Sequence, residues 1–151
     1  MKGKTFKISA IKEGTVIDHI STDHTFKVVD ILNLKGFDNV VTVGMNLESK
    51  KLGKKGLIKI GGRHLTKEEV DMIAIIAPEA KINIIKDYSV KDKFRIKIPD
   101  KIHNIVKCAN TNCVTNVYKV PTKFHILKGD PLKIRCHYCE RLMGIEEVEM
   151  V

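Results

Sequence analysis

The alternation of apolar and polar positions along the chain predicts two helices set among short strands. Phe6, Ile8 and Ala10 alternate with Thr5, Lys7 and Ser9 over residues 5–11, the period of a half-buried strand. Gly14 breaks that run, and residues 16–20 (VIDHI) resume an extended pattern. Thr22, Asp23 and His24 then offer short polar side chains that can accept from the free amides of a helix start. Phe26, Val29 and Leu32, widened by Val28 and Ile31, predict a helix of about three turns ending near Gly36. Val41, Val43, Met45 and Leu47 share one face of a strand over 39–47, and residues 57–60 (LIKI) read as its hairpin partner across a long polar loop. Thr66 and Glu69 have capping-box spacing ahead of the stripe Val70, Ile73, Ala74 and Ala77, and Pro78 ends that helix. Residues 81–86 and 88–97 complete the set with two further strand-like runs.

The order β-α-β-β-α-β predicts an α+β fold whose first domain is a ferredoxin-like α/β sandwich. At Ile98-Pro99-Asp100 the pattern changes. Residues 114–120, 123–128 and 132–135 read as short β-like runs, separated by Pro121 and the Gly129-Asp130-Pro131 turn. This divides the chain into 1–99 and 100–151. The second piece has few large apolar groups and needs a staple to fold.

The cysteines supply one. All four lie in that piece: Cys108-x4-Cys113, a gap of 22 residues, then Cys136-x2-Cys139. No secretory signal precedes them, so clustered cysteines point to a metal before disulfides. Four thiolates saturate tetrahedral zinc and leave no position for water or substrate, which makes the site structural. The expectation is one Zn(2+) per chain in a small β-rich, zinc-ribbon-like domain, with Asn110, Asn112, Lys107 and Arg135 beside the sulfurs. A nucleophile–base arrangement, a Walker glycine loop and a dinucleotide fingerprint are all missing, and this argues against an enzyme.

The formal net charge of +9, from 27 basic and 18 acidic residues, favours anionic partners without choosing among them. The longest apolar run, Met72 to Ala77, is far too short to cross a bilayer. The chain therefore reads as cytoplasmic, with no membrane partner. Asp18 and His19 stand in an otherwise apolar strand, and Lys59 interrupts another. Each is open to two readings: a structurally paired or solvated group, or a contact to a bound polar ligand.

Residues 10–20 (AIKEGTVIDHI), 43–47 (VGMNL), 56–60 (GLIKI), 77–80 (APEA), Ile82-Asn83, 108–113 (CANTNC) and 136–140 (CHYCE) occur in one order along nearly the whole chain. In these motifs the chain resembles the regulatory chains of aspartate carbamoyltransferase. The resemblance implies a non-catalytic subunit whose first domain binds CTP or ATP and whose zinc domain docks on the catalytic chain. In that assembly three regulatory dimers bridge two catalytic trimers, and the subunit gives allosteric control of pyrimidine biosynthesis. It further implies that Asp18 and Lys59 contact the ribose, that His19 and Lys93 face the phosphates, and that backbone near Ile11 and Tyr88 reads the base. Asn83, Ile85 and Val90 would line the pocket, and Asn110, Asn112, Glu140 and Arg141 would lie near the catalytic partner. Nucleic acid is no partner on this reading. The competing one is a basic zinc-ribbon protein that binds nucleic acid. It accounts for the charge and the cysteines but leaves Asp18, His19 and Lys59 unexplained.

Overall fold

The structure is a computed structural model that describes residues 10–151. The strand expected over 5–11 therefore lies, through residue 9, outside the described residues. Two compact units form: residues through Thr66 together with Glu79–Ile96, and Lys67–Pro78 together with Lys97–Val151.

The first unit carries a five-stranded antiparallel sheet in the order β2-β3-β1-β4-β5. Its strands are β1 (Gly14–Ser21), β2 (Val41–Ser49), β3 (Gly53–Gly61), β4 (Lys81–Lys86) and β5 (Ser89–Arg95). With helix α1 (Thr25–Ile31) after β1 and α2 (Lys67–Ile76) after β3, the chain follows the ferredoxin-like order with a fifth strand added at one edge. One sheet face is core. Ile17 of β1 lies opposite Ile58 of β3 and Ile82 of β4, and all three are fully buried. Val28, Val29 and Ile31 of α1 and Leu32 just after it are buried too, and α1 packs on β3.

Local details depart from the sequence reading. Of the expected helix face, Val28, Val29, Ile31 and Leu32 are buried, but Phe26 in the first turn is 61% exposed. The helix ends earlier than Gly36: Asn33 takes a left-handed conformation, and the Arg63 guanidinium donates to the Leu32 carbonyl at 2.9 Å. Thr22–His24 form a 3-10 turn with no side-chain cap, and the Thr22 hydroxyl accepts from the Asn46 amide at 3.3 Å. The loop expected between β2 and β3 shrinks to residues 50–52, since most of the lysine-rich run is strand. A bulge at Met45–Asn46, with Asn46 left-handed, breaks the single face expected of β2. In α2, Met72, Ile73, Ala74, Ile75 and Ile76 are all buried, a wider apolar surface than the expected stripe.

The second unit holds a four-stranded antiparallel sheet in the order β6-β7-β8-β9. These are Lys101–His103, Lys123–Leu127, Lys133–Cys136 and Leu142–Met143. Ile102, Phe124, Ile126, Ile134 and Met143 point inward. Residues 114–120, read as β-like, instead begin with the short helix α3 (Val114–Val117). The Asn116 side chain holds this turn by donating to the carbonyls of Cys108 at 2.9 Å and Asn110 at 2.7 Å. Among the described residues no helix is long and apolar enough to cross a membrane.

Gly56 of β3 lies directly against Thr25 of α1. A Cβ there would overlap the side chain of Thr25, which is fully buried and fixed by its bond to the Ser21 carbonyl at 3.1 Å. Gly56→Ala is expected to destabilise the first unit by about 1–3 kcal/mol. Adding Thr25→Ala should recover part of that loss, as read by denaturant unfolding of both variants.

Candidate metal centre and ligand face

Two knuckles bring the four thiols together. In the second, Cys136 ends β8, the Glu140 amide returns to the Cys136 carbonyl at 3.0 Å, and Glu140 adopts a left-handed backbone. In the first, Cys113 begins α3 and its amide donates to the Asn110 carbonyl at 3.0 Å. All four sulfurs lie within 4.8 Å of one another, with Cys108–Cys139 at 3.6 Å and Cys113–Cys136 at 3.7 Å. A tetrahedron of zinc–sulfur bonds of about 2.3 Å has edges of about 3.8 Å, so these spacings fit a shared zinc ion.

Each thiol is surrounded differently. Burial pushes the Cys108 and Cys136 thiols up, against amides that favour the thiolate: Asn110 for Cys108, and Cys139 and Tyr138 for Cys136. For Cys139 burial also opposes ionisation, but the Arg141 amide and the Asn110 side chain outweigh it and bring the thiol to about 7. The Thr115 hydroxyl donates to Cys113 Sγ at 3.2 Å. Asn110 thus sits beside the sulfurs as expected. Lys107 instead lies 3.9 Å from Glu149, and Arg135 faces outward from β8.

The first unit concentrates polar groups on the sheet face opposite its core. Cross-strand register aligns Thr42, Lys59, Val16, Asn83 and Lys93 in one row across all five strands. A second row holds Asp18, Lys81 and Arg95, and a third holds Gly14, Ile85 and Val90. Residues directly opposite in an antiparallel sheet share a face, so Asp18, Lys59, Asn83, Ile85, Val90 and Lys93 stand together. Ile11, Val16 and Ile85 form a small apolar cluster on that face, backed by Leu57.

A bulge makes the polar end of this face. Asp18 and His19 together oppose Leu57, and His19 has φ of 60°. The extra residue lets Ile17 and Ile20 both reach the core, each fully buried, while Asp18 and His19 turn away from it. The Asp18 carboxylate accepts from Lys55 Nζ at 2.9 Å and from the His19 amide at 2.7 Å. Burial raises the Asp18 carboxyl, but Lys55 and the His19 amide overcome it and hold the group below its usual range. The His19 imidazole is lowered by burial first and then by Lys55, Lys81 and Lys51, against the pull of Asp18. His19 Nδ1 lies 3.4 Å from Asp18 Oδ2. Yet His19 Nδ1 and Asn83 Oδ1 are buried without a hydrogen-bond partner among the described residues.

The chain end of the face opens into a cavity of about 380 Å³ lined by Ile11, Lys12, Asn39, Gly61, Gly62 and Tyr88. Tyr88 reaches it because Asp87 and Tyr88 both take positive φ in the two-residue turn between β4 and β5, and the Tyr88 amide donates to the Lys12 carbonyl at 2.9 Å.

Residues 6–97 match the family described as aspartate carbamoyltransferase regulatory chain, allosteric domain. Residues 100–149 match the metal binding domain of the same regulatory chain. The chain belongs to the aspartate carbamoyltransferase regulatory chain family. Among curated relatives with that name, the Pyrococcus abyssi protein is 52% identical over 144 residues, covering 94% of this chain and 95% of the relative. The Thermococcus onnurineus protein is 50% identical over 143 residues, with 94% and 95% covered. A bacterial relative, from Bacteroides thetaiotaomicron, is 44% identical over 148 residues, with 98% and 97% covered. This family likeness and the thiol geometry agree on a bound metal in the second unit.

Sequence reasoning missed Lys55 and Lys81 on the open polar face, and Thr115 and Asn116 at the metal centre. Lys55 was hidden in a lysine-rich run with no local signal, and the partners of Asn116 are two carbonyls that only the folded knuckle brings within reach.

Asp18 is ionised more easily when folded than when unfolded. Its pairing therefore supports stability above the unfolded value of about 3.9 and loses that contribution as pH falls through the lower folded value. Lys55→Met should cost about 1–2 kcal/mol at neutral pH, and less in acid, where Asp18 is protonated. Urea unfolding at several pH values checks both the size and the trend. Metal removal should act elsewhere. Chelation of the zinc-loaded chain is expected to expose four titratable thiols and collapse the near-ultraviolet signal of the second unit's Phe124, Tyr118 and Tyr138, with hydrogen exchange in β1, β3 and β4 little changed.

Proposed function

We propose that this chain is the non-catalytic regulatory subunit of an aspartate carbamoyltransferase, binding CTP or ATP on the open face of its first sheet. The observation that carries this reading is Asn83 Oδ1 on that face, buried and without a hydrogen-bond partner among the described residues, with His19 Nδ1 buried nearby and meeting only the edge of the Asp18 carboxylate at 3.4 Å among those residues. Buried polar groups left without a partner are costly, so atoms of this kind favour a ligand that completes them.

The chemistry along the face suits a nucleotide. At the cavity end, the backbone near Ile11 and Tyr88 offers edges for a base, and Ile85, Val90 and Val16 give it an apolar floor. Asp18 accepts from ribose hydroxyls, with Lys59 beside it. From Gly14 to Asp18 the strand rises about 13 Å, room for an extended nucleotide. His19 and Lys93 supply donors for the phosphates, and Lys81 and Arg95 add positive field.

The second unit, stapled by one zinc ion, serves as the docking piece on the catalytic chain. On this reading the chain divides into an allosteric domain of residues 1–99 and a docking domain of residues 100–151; the family matches over 6–97 and 100–149 support it, whereas α2 clusters with the second unit. Regulatory dimers, three of them, would bridge two catalytic trimers in the cytoplasm. A nucleotide shifts such an assembly only by binding its low- and high-activity states unequally.

Calorimetry with CTP and ATP on the zinc-loaded chain tests the binding step. Lys93→Ala should weaken either nucleotide about tenfold or more, roughly 1.4 kcal/mol. His19 is depressed when free, and a bound phosphate would raise it. Affinity should therefore grow as pH falls from the raised value of the bound state toward the lower value of free His19, and level off below the latter. Absence of nucleotide binding, with zinc in place, would count against this reading.

A further inference from the structure

The helix α3 lies beside the metal centre, and its own sequence gives it little reason to form. Three of its four residues, Val114, Thr115 and Val117, are β-branched, a composition that favours strands. Cys113 at its N-terminus supplies no side-chain cap. The two middle residues instead turn back toward the cysteines. Thr115 is buried, and its hydroxyl donates to Cys113 Sγ at 3.2 Å. Asn116 spends both hydrogens of its side-chain amide on carbonyls of the first knuckle, Cys108 at 2.9 Å and Asn110 at 2.7 Å. The Asn110 carbonyl also accepts from the Cys113 amide at 3.0 Å, so the knuckle is tied at both of its cysteines.

Asn110 carries the connection onward. Its Oδ1 accepts from the Asn112 amide at 3.0 Å, which leaves its amide hydrogens for the Cys139 sulfur of the second knuckle. Cys139 is only half-buried, whereas Cys108, Cys113 and Cys136 are buried. A chain of hydrogen bonds therefore runs from Asn116 through Asn110 to the most accessible of the four sulfurs. Partners that orient metal ligands from outside the coordination sphere affect how firmly the metal is held.

We propose that Asn116 is a positioning residue of the metal centre: by clamping the Cys108–Cys113 knuckle it sets how tightly zinc is held and how slowly it leaves. This rests on the metal reading of the four cysteines and adds to it the residue that governs retention. Cys139 is the sulfur that a competing chelator reaches first. Asn110 steadies that sulfur, and Asn116 steadies Asn110. The helical turn of residues 114–117 thus has a task, which is to aim the Asn116 amide at two carbonyls that a strand would carry it past.

The test uses the full zinc-loaded chain and follows zinc transfer to a coloured chelator, with affinity taken from competition and release rate from the time course. Asn116→Ala removes the clamp and should bind zinc about tenfold more weakly and release it correspondingly faster. Asn116→Asp keeps the size of the side chain but turns carboxylate oxygens toward the two carbonyls, so it should lose zinc faster still. Filling of space alone predicts the opposite order, with the isosteric Asp the milder change. Cobalt(II) in place of zinc gives a second readout, since the ligand-field bands of a tetrahedral four-sulfur site should weaken in the same order. If Asn116→Asp takes up no metal, Asn116→Ala decides. Variants that hold and release zinc like the wild type, or an Asp milder than the Ala, overturn the proposal while leaving the metal centre intact. A wild-type chain that takes up no zinc sinks the metal reading and the proposal together.

Discussion

Ile17 and Ile20 are three positions apart in one strand, and a regular strand cannot send both to the same side of a sheet. The bulge of Asp18 and His19 against Leu57 removes that conflict. It restores the apolar side of β1 to the core under α1 and, with the same backbone step, turns a carboxylate and an imidazole onto the opposite face. The left-handed backbone of His19 is the local strain this requires. Asp18, held by Lys55 and the His19 amide, fixes the bulge in place. The polar end of the open sheet face therefore follows from a packing constraint in the core, and the two sides of β1 cannot be altered separately.

The second unit depends on a different constraint. Its sheet is short, and β8 ends in Cys136, whose backbone also begins the second knuckle. The metal centre joins the end of that sheet to α3, since Cys113 begins the helix and Asn116 ties it to Cys108 and Asn110. Four thiolates would fill every position of a tetrahedral ion, so such a centre would supply rigidity and no open site for chemistry.

Much of this was legible in the sequence because the signals are local. The spacing of the four cysteines announced the metal centre, and the strand 81–86 stood out after Pro78 ended the helix before it. Asp18 and His19 stood out as polar groups in an apolar run. What the sequence hid was non-local. Lys59, Asn83 and Lys93 become neighbours only through the register of β3, β1, β4 and β5. The bulges in β1 and β2 answer to packing on other strands and defeat simple alternation. The run ESKKLGKKG reads as loop by composition, yet most of it is strand, since lysines are well tolerated where one side of a strand meets water. Residues 114–117 are rich in β-branched groups but form a helix, because the Cys113 position and the Asn116 side chain override propensity.

The central claim is that a nucleotide on the first unit alters a catalytic partner through this chain. Aspartate saturation of the catalytic chain, recorded alone, with this protein, and with this protein plus CTP or ATP, tests it most directly. The account predicts that adding the protein reshapes the curve and that nucleotide moves it again. A curve that this folded, zinc-loaded chain leaves unchanged, with or without nucleotide, would contradict it.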